Sequence, residues 1–259
     1  DFFLERRLRE ETEDLGKYDK AFDFLHQVEL IYNEPSDNSL RARADEFWEN
    51  LQDLANHPED TAVRAAVKES ALGLTEVISQ QASEFLRLGG KTLNTSVNQD
   101  IQIIVADLNG AASELAQLNK QIQVQEAAGH NPNDLLDRRD GIVKRISKFV
   151  DVQTSENDPD YFLVTVGGVT LAQGVTGSEF ETKLKSDGSM GIFVKGTSTE
   201  VQPRNGELKA LFDFRDKQLA AHVDGLSDFA LTLVEKMNDI HRSGFGLDGS
   251  TNVNFFNPF

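Results

Sequence analysis

Cysteine is absent from this chain. That absence excludes disulfide frameworks, thiolate metal sites and cysteine nucleophiles, and it leaves the compartment open. Positive charge is scarce: 26 Lys and Arg stand against 43 Asp and Glu, a net charge of −17 over 259 residues. Nucleic acid and anionic lipid are gripped by clustered cations, so both partner classes are set aside and the acidic excess solvates the surface. No apolar run approaches the roughly 20 residues that span a bilayer. The opening Asp1-Phe2-Phe3-Leu4-Glu5-Arg6-Arg7 lacks the basic head and apolar segment of a signal peptide. The histidines His26, His57, His130, His222 and His241 include no pair at the H-x-x-x-H spacing that holds a metal on one helix face.

Proline is missing from a long interval. None occurs between Pro58 and Pro132, and a helix over most of that span would run to about 100 Å. Its second half carries Val97, Ile101, Ile104, Leu108, Ala111, Leu115, Leu118 and Ile122 in alternating steps of four and three. That is the heptad period of a narrow apolar seam. Leu74, Ile78, Phe85 and Leu88 follow another phase. Gly89-Gly90, where the phases meet, predicts a bend or local irregularity, since each interior glycine weakens a helix by roughly 1 kcal/mol. Upstream, Ala21, Leu25, Val28 and Tyr32 share a helical face until Asn33 to Asn38, with Pro35 inside, breaks it. Leu40, Ala44, Phe47, Leu51 and Leu54 form the next stripe, with Trp48 beside it as a packing anchor.

Beyond Pro132, Leu135, Leu136, Ile142, Val143, Ile146 and Phe149 predict a short helix. The period then falls to two. Phe162, Val164 and Val166 alternate with Tyr161, Leu163 and Thr165, and Gly167-Gly168 joins this run to Val169-Thr170-Leu171, a hairpin signal. Phe180 to Leu184 and Met190 to Lys195 are further strands, giving a small antiparallel sheet between about Val150 and Pro203. Helix resumes at Gly206, where Leu208, Phe212, Arg215, Leu219, Val223, Leu226, Ala230, Leu233, Met237 and Ile240 again step by four and three. Arg215, the charged member of that seam, is expected either to pair with a carboxylate on a neighbouring helix or to snorkel from the edge. Gly244, Gly246 and Gly249 open a loop-rich end.

The expected fold class is mainly α with an inserted small β domain: an elongated helical bundle with long heptad-patterned helices, from which an antiparallel β module projects. The division expected along the chain is 1–149 as the first part of a helical rod domain and 150–204 as the inserted antiparallel β domain. Residues 205–243 are then the return helix of the rod, and 244–259 a loop leading into an outer region.

One stretch has unusually clear stop and start chemistry, Gly129-His130-Asn131-Pro132-Asn133-Asp134-Leu135-Leu136-Asp137-Arg138-Arg139-Asp140. Gly129 suits positive φ at a helix end, Asn131 a cap, and Pro132 a first helical position. Asp134 stands near the positive end of the next helix dipole, with Arg138 one turn on. Together with Gly206-Glu207-Leu208 to Phe214-Arg215-Asp216 and Met237-Asn238-Asp239-Ile240-His241-Arg242-Ser243-Gly244, this run resembles the flagellar hook–filament junction family, FlgK. Phe47-Trp48 with Leu51, Leu54, Pro58 and Arg64, and Leu247-Asp248-Gly249 to Phe255-Phe256, extend the likeness over nearly the whole chain in the right order.

The resemblance implies a structural subunit of the bacterial flagellum that forms the junction between hook and filament by subunit packing. It implies a rod-like helical domain facing the inner part of the tube and a β domain facing outward. The implied partners are the flagellar hook protein, the second junction protein and neighbouring copies of the same protein, with an export chaperone acting through a C-terminal arm. The implied location is extracellular, in the flagellum, reached by type III export without a cleaved signal peptide. The family's terminal helices, which pack into the tubular core, have no counterpart here. The chain is therefore expected to be an internal fragment lacking both terminal arms, and monomeric in isolation. The alternative is a soluble helical binding or adhesin-like scaffold module.

No catalytic, cofactor-binding or metal residues are assigned. Asp248-x-Ser250-x-Asn252 starts like a calcium loop, but Val253 replaces the glycine of the sixth position and no Glu follows at the twelfth. Asp134, Asp137 and Asp140 are interleaved with Arg138 and Arg139, which suits salt bridging better than acid–base work. Ser147 and Ser243 lack a nucleophile-elbow context. His241, near a helix end, suits capping or packing.

Overall fold

The computed structural model describes residues 2–90, 95–155 and 162–257. The chain forms two compact units, one from Asp1–Leu25 with Arg87–Lys217, the other from His26–Leu86 with Gln218–Phe259. The elements in order are α1 (Phe2–Tyr32), α2 (Leu40–Asn56), α3 (Thr61–Gly89), α4 (Ser96–Ala127) and α5 (Asn133–Ser147). Strands β1 (Val152–Ser155), β2 (Leu163–Val166), β3 (Val169–Gln173), β4 (Thr176–Gly177), β5 (Phe180–Leu184) and β6 (Met190–Val194) follow. Then come α6 (Gly206–Asp213), a π turn over Phe214–Gln218 and α7 (Leu219–Ser243). The chain is thus mainly helical with an inserted antiparallel β module.

In the first unit α4 is central. Its heptad residues Val97, Ile101, Ile104, Leu108, Ala111, Leu115, Leu118 and Ile122 are all buried. Their partners differ from the expected ones, because strands as well as helices pack on α4, which meets α5, α6, β3, β4 and β5. Polar side chains of α4 fix those strands. Asn109 donates to Phe180 O at 2.9 Å and accepts from Phe180 N at 2.7 Å, while Asn119 donates to Gly174 O at 2.7 Å. The strands therefore lie along α4 instead of projecting clear of the helices.

The expected single sheet is two: a four-stranded antiparallel sheet β1-β2-β3-β4 and a two-stranded β5-β6. The hairpin at Gly167-Gly168 forms with both glycines at positive φ, 54 and 84, as a tight primed turn requires. β1 and β4 carry no clear alternation in the sequence, and β4 is two residues long. Tyr161, expected in the alternating run, lies outside the described residues.

The long proline-free interval holds two helices, not one. α3 stops at Gly89, and Thr95 starts α4 by accepting from Asn98 N at 3.3 Å. A glycine pair followed by a side-chain cap ends one ladder and nucleates another. At the next junction Gly129 takes φ 75 as expected, but Asn131 is not the cap: α5 begins behind Pro132, whose carbonyl accepts from Leu135 N and Leu136 N. The last long helical pattern is likewise interrupted, by the π turn, and its final member Ile240 is 69% exposed.

The second unit centres on Phe47, Val67, Ala71, Leu74 and Leu233, with Leu40, Ala44, Leu51, Leu54, Ile78, Met237, Phe255 and Phe256 packed around them. Ser39 caps α2 by accepting from Ala42 N at 3.2 Å. Phe47 is the packing anchor; Trp48 is 45% exposed and only leans on the Phe47 ring. The buried apolar side chains of α1 are Phe24 and Val28, whereas Leu25 is exposed.

Candidate functional site: clamp, groove and crossing

The motif at the end of α7 holds a loop. Asn238, 4% exposed, accepts from Phe255 N and Phe256 N at 2.8 Å each and donates to Phe256 O at 2.9 Å. One amide side chain thereby satisfies three backbone groups that the loop leaves without ladder partners. His241 Nδ1 lies 2.7 Å from Val253 O, and the His241 ring meets Phe255 edge-on. Arg242 bonds Asp239 and reaches Asn254 Oδ1 at 3.2 Å, and its carbonyl accepts from Asn252 N. Phe255 and Phe256, T-shaped to each other, are pressed toward Phe47 by this clamp.

Beside the clamp lies a groove of about 990 Å³. Ala71, Thr75 and Ile78 of α3, Leu226 and Ala230 of α7, and Phe256 are among its walls. The spacing of three and four residues along both helices presents small and apolar side chains, a shape suited to an apolar partner surface. Elsewhere α1 carries an exposed row, Leu4, Leu8, Leu15, Tyr18, Phe22 and Leu25, at steps compatible with a heptad.

In the first unit two of the buried ionisable side chains, Arg215 and Glu13, tie separate elements together. Arg215, set in the π turn, donates to Met190 O at 2.8 Å and Asn98 Oδ1 at 3.3 Å, so it ties β6 to α4. Its carboxylate partner is its own neighbour Asp216, at 2.7 and 3.1 Å, and not a residue of another helix. Glu13 of α1, 6% exposed, accepts from Val152 N at 2.9 Å. Burial drives the Glu13 carboxyl up to about 7. The Val152 bond opposes that rise, the Asp151 charge adds to it, the Asn205 amide opposes it, and Glu10 adds to it.

Over residues 25–256 the sequence matches the family described as the flagellar hook-associated protein FlgK helical domain. The chain belongs to that family. It is 30% identical over 213 residues to flagellar hook-associated protein 1 of Bacillus subtilis, covering 82% of this chain and 39% of that protein. It is 29% identical over 205 residues to the protein of the same name from Salmonella typhimurium, covering 74% and 36%. The chain thus spans about two fifths of the length of the curated relatives it matches. The flagellar hook junction protein FlgK from Burkholderia pseudomallei has the same fold, with a TM-score of 0.77 at 22% identity over 95% of this chain and 45% of that one.

The FlgK-like motifs map onto the structural joints just described: the Asn238 clamp, the Arg215 tie, and the reversal at Gly129. The remaining candidates scatter. Ser147 and Ser243 bond helix carbonyls, at Val143 and Ile240. Asp248 accepts from Ser250 N at 2.9 Å in a local turn, and the Ser250 hydroxyl, then the backbone, holds its carboxyl below the ordinary range. His57 pairs with Asp53 and His130 with Gln125 close by in the chain, while His222 of α7 pairs with Tyr32 of α1. Asp134 stands in the first turn of α5. Among the described residues no group of three or more His, Asp or Glu is placed to hold a metal, and no helix is long and apolar enough to cross a membrane. Glu13 escaped the sequence pattern, although it shares a helical face with Gly16, Lys20, Phe24 and Val28; a lone acid on that face was the available signal.

Proposed function

We propose that this chain is part of a structural subunit at the junction between the bacterial flagellar hook and filament, acting by packing and without a catalytic step. The observation that carries this is the FlgK helical-domain match over 25–256. Supporting it, residues that make the chain FlgK-like are spent on internal architecture: Asn238 and Arg215 bond backbone groups of the loop and of β6. The partners we propose are the hook protein, the second junction protein and neighbouring copies of itself, met outside the cell in the assembled flagellum. An export chaperone would act on the part of the protein that these residues do not include. Within the division proposed above, 1–149 and 205–243 supply the rod, 150–204 the outward β module and 244–259 the passage to an outer region.

The test uses the whole protein in a motile bacterium. Cells lacking it should build hooks, fail to retain filaments and release flagellin into the medium. Restoring the protein with 153–202 replaced by a short Gly/Ser linker should bring filaments back in part, counted by electron microscopy. Normal filaments without the protein would end the proposal. Complete loss with an exported, folded linker variant would instead place the essential junction contact on the β module.

A further inference from the structure

Glu13 sits where α1 crosses two other pieces of the first unit. Gly16 brings α1 so close to the end of α5 that a β-carbon there would fall 2.2 Å from Lys148 O. Gly206, at φ 77, packs against the Phe149–Val150 backbone, where a β-carbon would fall 2.5 Å from Val150 N. Glu207 N and Leu208 N donate to Lys148 O and Phe149 O, closing the third side. The Glu13 carboxyl is thus enclosed by α1, by Lys148–Val152 and by Arg204–Glu207.

The ionisable groups around it are acidic, paired elsewhere or turned to solvent. On α1 stand Glu10 and Asp14, with Lys17 turned over the Tyr18 ring. On the second segment Lys148 is paired to Glu207 at 3.1 Å, and Asp151 accepts from Arg204 N at 2.7 Å. On the third, Arg204 is exposed and Asn205 donates to Asp14 Oδ1 at 2.8 Å. Among the described residues no Lys or Arg pairs with Glu13. Asn205 Oδ1 is buried without a hydrogen-bond partner, and the same amide donates to Asp14, the residue next to Glu13. An orphaned buried acceptor calls for a donor, and a carboxylic acid supplies one that a carboxylate lacks.

We propose that this crossing is a proton-operated latch. Neutral Glu13 closes it, accepting from Val152 N and donating to Asn205 Oδ1, and loss of that proton loosens α1 from the two segments it crosses. The sign follows from linkage. The closed form holds the carboxyl near 7 and the opened form returns it to the ordinary 4.5. Closure is therefore strongest below about 4.5 and is lost as pH rises through about 7.

The test is amide exchange at Val152, corrected for the intrinsic pH dependence of exchange, together with a carbon-detected titration of the Glu13 carboxyl. In the wild-type chain the opening constant should rise on the order of a hundredfold between pH 5 and pH 8, with the carboxyl titrating in the same window. Glu13→Gln, which keeps an acceptor and an N–H donor, should stay closed with a flat profile. Asp151→Asn removes a repelling charge and should move the wild-type midpoint downward. A carboxyl titrating below pH 5, or a Glu13→Gln profile matching wild type, overturns the latch. If Glu13→Gln does not fold, the Asp151→Asn shift and the direct titration decide the matter, and an unmoved midpoint counts against it.

Discussion

Glycines in this chain separate into those with a steric duty and those without, and substitution tells them apart. Gly16 lies inside α1, where alanine would favour the helix by about 1 kcal/mol. Its β-carbon would strike the rigid carbonyl of Lys148, and overpacking of that kind costs about 1–3 kcal/mol. Gly16→Ala should therefore lower stability in urea unfolding. Gly110→Ala and Gly141→Ala, with nothing within 4 Å of the new carbon, should raise it by about 0.5–1 kcal/mol. Equal effects at all three would refute the close approach. Asn238 makes a second residue-scale prediction. Asn238→Ala strands three backbone groups of the clamp, and an unsatisfied buried group costs about 1–3 kcal/mol. The readout is faster amide exchange at Phe255 and Phe256, with α4 amides unchanged. Sequence alone showed that the Asn238 region matters through its likeness to a family. Which atoms Asn238 satisfies was invisible, because the loop it holds has no periodicity.

Among the elements, α4 is the one whose role the sequence pattern conveys best. Every position of its heptad register from Val97 to Ile122 is buried, as spacing on a helix dictates, while Asn98, Val105, Ala112 and Asn119, a further row at intervals of seven, are buried beside it and were not in the register. The identity of the covering elements does not follow, because strands and helices bury the same apolar seam. Leu108→Asp puts a charge into a position with no solvent exposure, a cost of several kcal/mol. Glu114→Ala removes an exposed ion pair to Arg145 and should change stability by less than about 1 kcal/mol. Circular dichroism melts that fail to separate the two variants would refute the register. The break between α3 and α4 was legible only as a weak spot: glycines signal strain, but the Thr95 cap that turns a bend into a new start is a single side chain. Thr95→Ala should cost about 1 kcal/mol, seen first as fraying of Ser96 to Asn98 in amide exchange.

For the molecule as a whole, each compact unit is assembled from two separated stretches of chain. That long-range return was readable from paired helical patterns on either side of a β insert. The partition was not, because the boundaries at 25/26 and 86/87 fall inside helices whose pattern continues without a break. A net charge of −17 opposes self-association through mutual repulsion, while the exposed α1 row favours it. With the α4 seam buried internally, repulsion should prevail at low ionic strength. Sedimentation at micromolar concentration should report one chain; a stable ring or filament under those conditions would refute this.

The clamp at the end of α7 has a consequence for chain entropy. Arg242 O to Asn252 N, His241 to Val253 and Asn238 to Phe255 and Phe256 fasten both feet of the loop, so its tip at Asp248–Ser250 is a closed detour. Lengthening such a detour costs only the logarithm of its length, about 0.6 kcal/mol per doubling. A dozen foreign residues between Gly249 and Ser250 should leave the melting of the molecule nearly unchanged. The same dozen placed between Asn254 and Phe255, inside the fastening, should release the two phenylalanines and with them a wall of the groove.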